Sequence, residues 1–178
     1  MINIDWSKEQ EAQEFARPGA GAYICRIVSV EDNPSKEYLK IYADIAEGEF
    51  KDYGKLSEER TGKDWDYIRF NRSYKLKARG FFKGFLTALE KSNHNFSADK
   101  FDGNEQRMKG MWIGLVLGEE EYEKKDGTVG VRTYVDSIRS GEAIRQGDYK
   151  IPELKKLSQA DTASAPVPFS NSYDDCPF

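Results

Sequence analysis

The chain has 178 residues, of which 38% are hydrophobic and 33% charged, with a formal net charge of −4. That length fits one domain with appendages, and no apolar run approaches the ~20 residues of a membrane-spanning helix, Met111 to Leu117 being the longest candidate. Cys25 and Cys176 are the only cysteines, so neither a disulfide framework nor a metal site is implied, and no cofactor is expected.

The first residues, Met1 to Trp6, lack the basic and apolar regions of a secretion signal, so a cytoplasmic protein is expected. Ile4 to Phe15 reads as an N-terminal arm, with Trp6 and Phe15 available to dock on the domain. Pro18-Gly19-Ala20-Gly21 breaks it. A first strand is expected from Ala22 to Glu31, followed by a turn at Asp32-Asn33-Pro34-Ser35. Glu37 to Ala46 alternates: Leu39, Ile41, Ala43 and Ile45 share one face, and Tyr38, Lys40, Tyr42 and Asp44 the other. Glu47 to Asp64 is polar and reads as a long loop, and Trp65 to Asn71 as a third strand with Ile68 and Phe70 inward.

A helix is expected over Ala78 to Lys91, where Phe81, Phe82, Phe85, Leu86 and Leu89 form an apolar stripe that reads as core packing. Ser92 to Met108 reads as a loop, and its His94, the only histidine, as a surface residue. Met111 to Glu121 and Thr128 to Ser137 form a hairpin around Lys125-Asp126-Gly127, since Asp-Gly supplies the positive backbone angles of tight turns. Glu119-Glu120-Glu121 reads as a solvated arm that discourages edge pairing. Gly114 and Gly118 read as barrel-bending glycines, with a bulge or a close ligand approach as the other reading. Ser140 to Leu157 is a polar connection. The order β-β-β-α-β-β fits a mainly β domain with one helix, a five-stranded OB-type barrel over residues 1–157, with an α+β sandwich as the alternative.

Single-stranded nucleic acid needs cations along its phosphates and flat rings for its bases. A strand with one face in the core can offer both on its other face. The second strand does so with Tyr38, Lys40 and Tyr42, the third with Trp65, Tyr67 and Arg69, and the hairpin with Trp112, Arg132 and Tyr134. Arg72, Lys75, Lys77 and Arg79 extend the track. From Tyr67 to Lys83 there are six cations and no acid, a local excess that outweighs the overall negative sign. Signatures of a phosphate-binding loop, a nucleophile elbow and a zinc protease are missing, so a non-catalytic binder is expected.

Residues 158–178 differ in composition. Ser158 to Tyr173 is rich in Ser, Ala, Asn and Pro without Lys or Arg, and reads as a disordered tether. Its tip, Asp174-Asp175-Cys176-Pro177-Phe178, joins carboxylates to an apolar end that fits a pocket on another protein with basic residues nearby.

That tip resembles the acidic Pro-Phe ending of single-stranded DNA-binding proteins. The domain is similar to phage members of that group in three stretches: Pro18-Gly19-Ala20-Gly21-Ala22-Tyr23, the strand Tyr38 to Ile45, and Gly48 to Gly54. The resemblance covers Pro18 to Ser137 and the tip. It implies an OB barrel that coats single-stranded DNA during DNA replication, recombination and repair, in the host cytoplasm if phage-encoded. It also implies recruitment of partner proteins through Asp174, Asp175, Pro177 and Phe178, with Cys176 standing where such tips often carry an aliphatic residue. An RNA-binding OB domain and a protein-binding adaptor remain alternatives, and oligomeric state stays open.

Overall fold

Alternation in the second strand builds the core: Leu39, Ile41, Ala43 and Ile45 are all buried on one face. The computed structural model describes residues 16–157. The expected arm over Ile4–Phe15, and the tether and tip from Ser158 to Phe178, lie outside the described residues. Strands β1 (Gly21–Asn33), β2 (Tyr38–Ile45), β3 (Ile68–Ser73), β4 (Trp112–Glu123) and β5 (Val129–Arg139) form one antiparallel sheet. Its order is β3-β2-β1-β4-β5. The edge strands β3 and β5 approach each other but are not joined by a ladder, so the five-stranded sheet is open.

The inner face carries Cys25, Ile27 and Val30 of β1, Phe70 of β3, and Ile113, Leu115 and Leu117 of β4. Helix α2 (Arg79–Ser92) lays Phe85, Leu86 and Leu89 on them. Phe85 meets Phe70 edge to face at 6.3 Å, and Phe82 bridges Phe85 and Tyr74 at 6.0 and 6.1 Å. Such edge-to-face pairs add to the burial that already stabilises the core. Phe81 was expected in this stripe but stands in the first turn, 67% exposed, so the packed stripe begins at Phe82.

Three further expectations change. The stretch read as a loop over Glu47 to Asp64 contains helix α1 (Tyr53–Thr61). Its buried residues are only Tyr53, Gly54 and Ser57, so no apolar periodicity announces it. It ends at Gly62, whose φ of 69° and bond from its N–H to Glu58 O make a left-handed stop. The third strand starts at Ile68, so Trp65 and Tyr67 precede it. The connection after β5 contains a short helix, α3 (Gly141–Arg145), opened by Ser140, whose hydroxyl accepts from the Ala143 N–H.

The acidic arm Glu119 to Glu121 does not repel an edge partner; it has one. Strand β1 pairs with β4 only as far as Leu117, leaving the main chain beyond it open. Lys155 fills that gap: its N–H donates to Glu119 O at 3.0 Å, and its carbonyl accepts from Glu121 N–H at 2.9 Å. The β4–β5 turn is as expected except that only Gly127 (φ 80°) is left-handed. Asp126 instead accepts from the Thr128 N–H and hydroxyl.

Candidate nucleic-acid interface

Three segments of the chain cover parts of the outer face of the sheet. α1 covers one part through Asp44, which is buried although it lies opposite the core. Asp44 Oδ1 accepts from the N–H groups of Ile45 (2.9 Å) and Gly54 (2.8 Å), and Oδ2 from Lys55 (3.0 Å). The carboxylate thus satisfies orphan donors at the start of α1 from a neighbouring strand. α3 covers a second part, over Gly114: a β-carbon there would stand 2.5 Å from Ile144 Cγ1 and 2.7 Å from Ser140 O. The chain before Leu157 covers a third, over Gly118, where a β-carbon would meet the Tyr134 ring at 2.6 Å and Pro152 at 2.7 Å. Both glycines therefore admit the protein's own chain, and the β4–β5 register shifts between them, at Val116 and Leu117.

An open patch is centred on β2 and β3. Tyr42 pairs in register with Arg69, Lys40 with Asn71, and Tyr38 with Ser73. The Lys40 ammonium lies 4.9 Å and the Arg69 guanidinium 5.4 Å from the centre of the Tyr42 ring. This places two cations at one ring, an arrangement favoured by its quadrupole. Tyr42 is itself only 8% exposed, so its ring is largely covered rather than free for a base. The neighbouring Tyr42 hydroxyl raises the Lys40 pKa, so Lys40 keeps its charge. Trp65, on the turn before β3, is 68% exposed with Lys63 Nζ 4.1 Å above its ring. Lys63 was not singled out from the sequence, where it lay in a stretch read as loop.

Tyr67 takes a different part from the one expected. Its ring is the nearest neighbour of the bare Gly54 position, and its hydroxyl donates to Glu58 Oε2 at 2.6 Å. Burial first, then that carboxylate, push its pKa up. It fastens α1. Arg72 shares the parity of Phe70, not of Arg69, and lies 5.3 Å from the Phe70 ring. Lys75 and Lys77 are exposed beyond β3. Arg132 is bound to Glu120 at 2.7 Å, and Tyr134 lies beneath Lys155, whose ammonium is 3.8 Å from its ring centre. Both hairpin side chains are thus engaged by the protein's own residues.

Acids from elsewhere in the fold temper the run of cations. Arg69 pairs with Asp64 at 3.1 Å, Lys40 with Glu31 at 4.0 Å, and Lys83 with Asp99. Arg26, also unmarked in the sequence, sits on the outer face between Asp44 and Trp112 and reaches Asp52 at 3.7 Å. Such half-exposed pairs are worth only ~0–1 kcal/mol, so a phosphate can replace the carboxylate at little cost.

Compared with protein-family models the chain finds no match, and compared with curated proteins it finds none. Among the described residues, no helix is long and apolar enough to cross a membrane, and no group of three or more His, Cys, Asp or Glu is placed to hold a metal ion.

Proposed function

We propose that this chain is a non-catalytic, sequence-tolerant single-stranded DNA-binding protein that acts in DNA replication, recombination and repair. In this reading the open five-stranded sheet is an OB-type barrel with its seam between β3 and β5. The observation that carries the proposal is the pair of ring-and-cation groups joined by the Arg69–Asp64 contact: Trp65 with Lys63 on the turn before β3, and Tyr42 with Lys40 and Arg69 on the sheet. Trp65 offers an open stacking surface, worth ~1–3 kcal/mol for any base. Lys40, Arg69 and Arg26 exchange weak carboxylate partners for phosphates, which gives a salt-sensitive, sequence-blind attraction. The tip Asp174 to Phe178 recruits partner proteins, its carboxylates meeting basic residues and Phe178 entering an apolar pocket.

The test is a fluorescence titration with dT oligomers at several salt concentrations, with duplex DNA and an RNA oligomer of equal length as controls. Tight, salt-sensitive quenching by single-stranded DNA is expected. Preference for the RNA would favour an RNA-binding domain, and no binding at low salt would leave an adaptor. Deleting Phe178 should spare DNA affinity and abolish capture of partner proteins; undiminished capture would remove the tip from the proposal.

A further inference from the structure

On the same outer face, beyond Arg26, a cleft of about 450 Å³ opens between the end of α2, the start of α3 and β4. Ile24, Lys91, Ser92, His94, Trp112, Gly141, Glu142 and Arg145 line it. Resting on the single-strand-binding reading above, we infer that this cleft is a nucleotide subsite: one base stacks on Trp112, and its phosphate is held by Lys91 and Arg145.

The walls are fixed before any ligand arrives. Asn93, just past α2, clamps the Trp112 backbone from both sides, accepting from its N–H at 2.9 Å and donating to its carbonyl at 2.8 Å. Ser92 Oγ accepts from the Gly141 N–H at 2.9 Å, tying α3 to α2. Gly114 lets Ile144 seat directly on β4. The indole is thus pinned at its backbone and remains 36% exposed, so a ring can stack on it without reorganising the site.

The polar lining suits a phosphate. Among the described residues the side chains of Lys91 and His94 make no hydrogen bond or ion pair. Arg145 is held by Glu47 at 2.5 Å, and the one acid in the lining, Glu142, accepts from Gln146 Nε2 at 2.9 Å. In the lining Lys91 and Arg145 face one acid, Glu142, with Glu47 balancing Arg145 from outside it, and the volume lies within the ~300–1,000 Å³ of small-ligand sites. Register places Arg26 beside Trp112, so a further cation stands next to the cleft.

The experiment uses the full chain with Trp6→Phe and Trp65→Phe, leaving Trp112 as its only tryptophan. A labelled dT oligomer reports binding by anisotropy while Trp112 emission is followed. Quenching of Trp112 in step with anisotropy is expected, and Trp112→Ala should weaken binding about tenfold, within the range for loss of one stacked base. Binding without any change at Trp112 would overturn the cleft while leaving the proposed function intact. No anisotropy change with the unsubstituted protein would overturn both. Arg145→Glu should weaken binding, whereas Glu47→Gln, which breaks the same ion pair but frees Arg145, should strengthen it. Equal losses in both variants would reduce Arg145 to a structural partner of Glu47 and overturn its phosphate role.

Discussion

Asp44 on β2 accepts the N–H of Gly54 at 2.8 Å, and this bond holds α1 on the outer face of the sheet. With the bonds from Ile45 and Lys55, one buried carboxylate satisfies three backbone donors. Asp44→Ala strands those donors, and a buried unsatisfied group costs ~1–3 kcal/mol. The expected result is a lower urea midpoint, with faster amide exchange at Gly54 and Lys55 than in β1. Unchanged exchange at those two amides would mean that Tyr53 and Tyr67 hold α1 without the carboxylate.

Phe81 and Phe85 are one helical turn apart and should differ sharply in cost. Phe85→Ala removes a ring packed between Phe70 and Phe82, and such truncations cost ~3–5 kcal/mol. Phe81→Ala changes an exposed side chain and should stay within ~0.5 kcal/mol. Chemical denaturation of the two variants decides it.

The open patch and the hairpin should separate in binding. Trp65→Ala should cost ~1–3 kcal/mol of affinity for a dT oligomer, the value of one stacked base. Tyr134→Ala should lower stability through the space left beneath Pro152 and Lys155, with affinity nearly unchanged. An affinity loss at Tyr134 as large as at Trp65 would return the hairpin to the interface.

Gly114→Ala places a β-carbon against Ile144 and the Ser140 carbonyl, and overpacking of this kind costs ~1–3 kcal/mol. Because α3 has to shift, Trp112 should become more accessible to iodide. A variant of unchanged stability and Trp112 quenching would show that α3 is loosely seated.

Burial, and next the Asp44 carboxylate, push the Cys25 thiol far above its ordinary 9.0. The unfolded chain then loses this proton at lower pH than the folded one. Stability from this group is complete below about pH 9 and falls as pH rises beyond it, by up to ~1.4 kcal/mol per pH unit. Urea midpoints at about pH 8 and about pH 9.5 should diverge more in the native sequence than in Cys25→Ala, where the tyrosines with raised pKa values still contribute. Alkylation of Cys25 in a Cys176→Ser background should require unfolding; rapid labelling of the folded protein would contradict its burial.

The strands were legible in the sequence because period-two alternation is a local property, written most plainly from Leu39 to Ile45. The Phe82–Leu89 stripe announced α2 for the same reason. α1 was not legible, since its buried residues Tyr53, Gly54 and Ser57 are too small or polar to make an apolar stripe and its anchor, Asp44, lies on another element. Strand parity correctly placed Lys40, Tyr42 and Arg69 on one face, but parity says nothing about what else covers that face. Only the tertiary structure decided that Tyr67 serves α1, that Tyr134 lies under the chain before Leu157, and that Arg26, Arg145 and Trp112 adjoin one cleft. Those relations join residues far apart in the chain through backbone closure and packing, which no local pattern encodes. In the strands the sequence by itself determined which side chains face away from the core; the fold decided which of them remain open to a ligand.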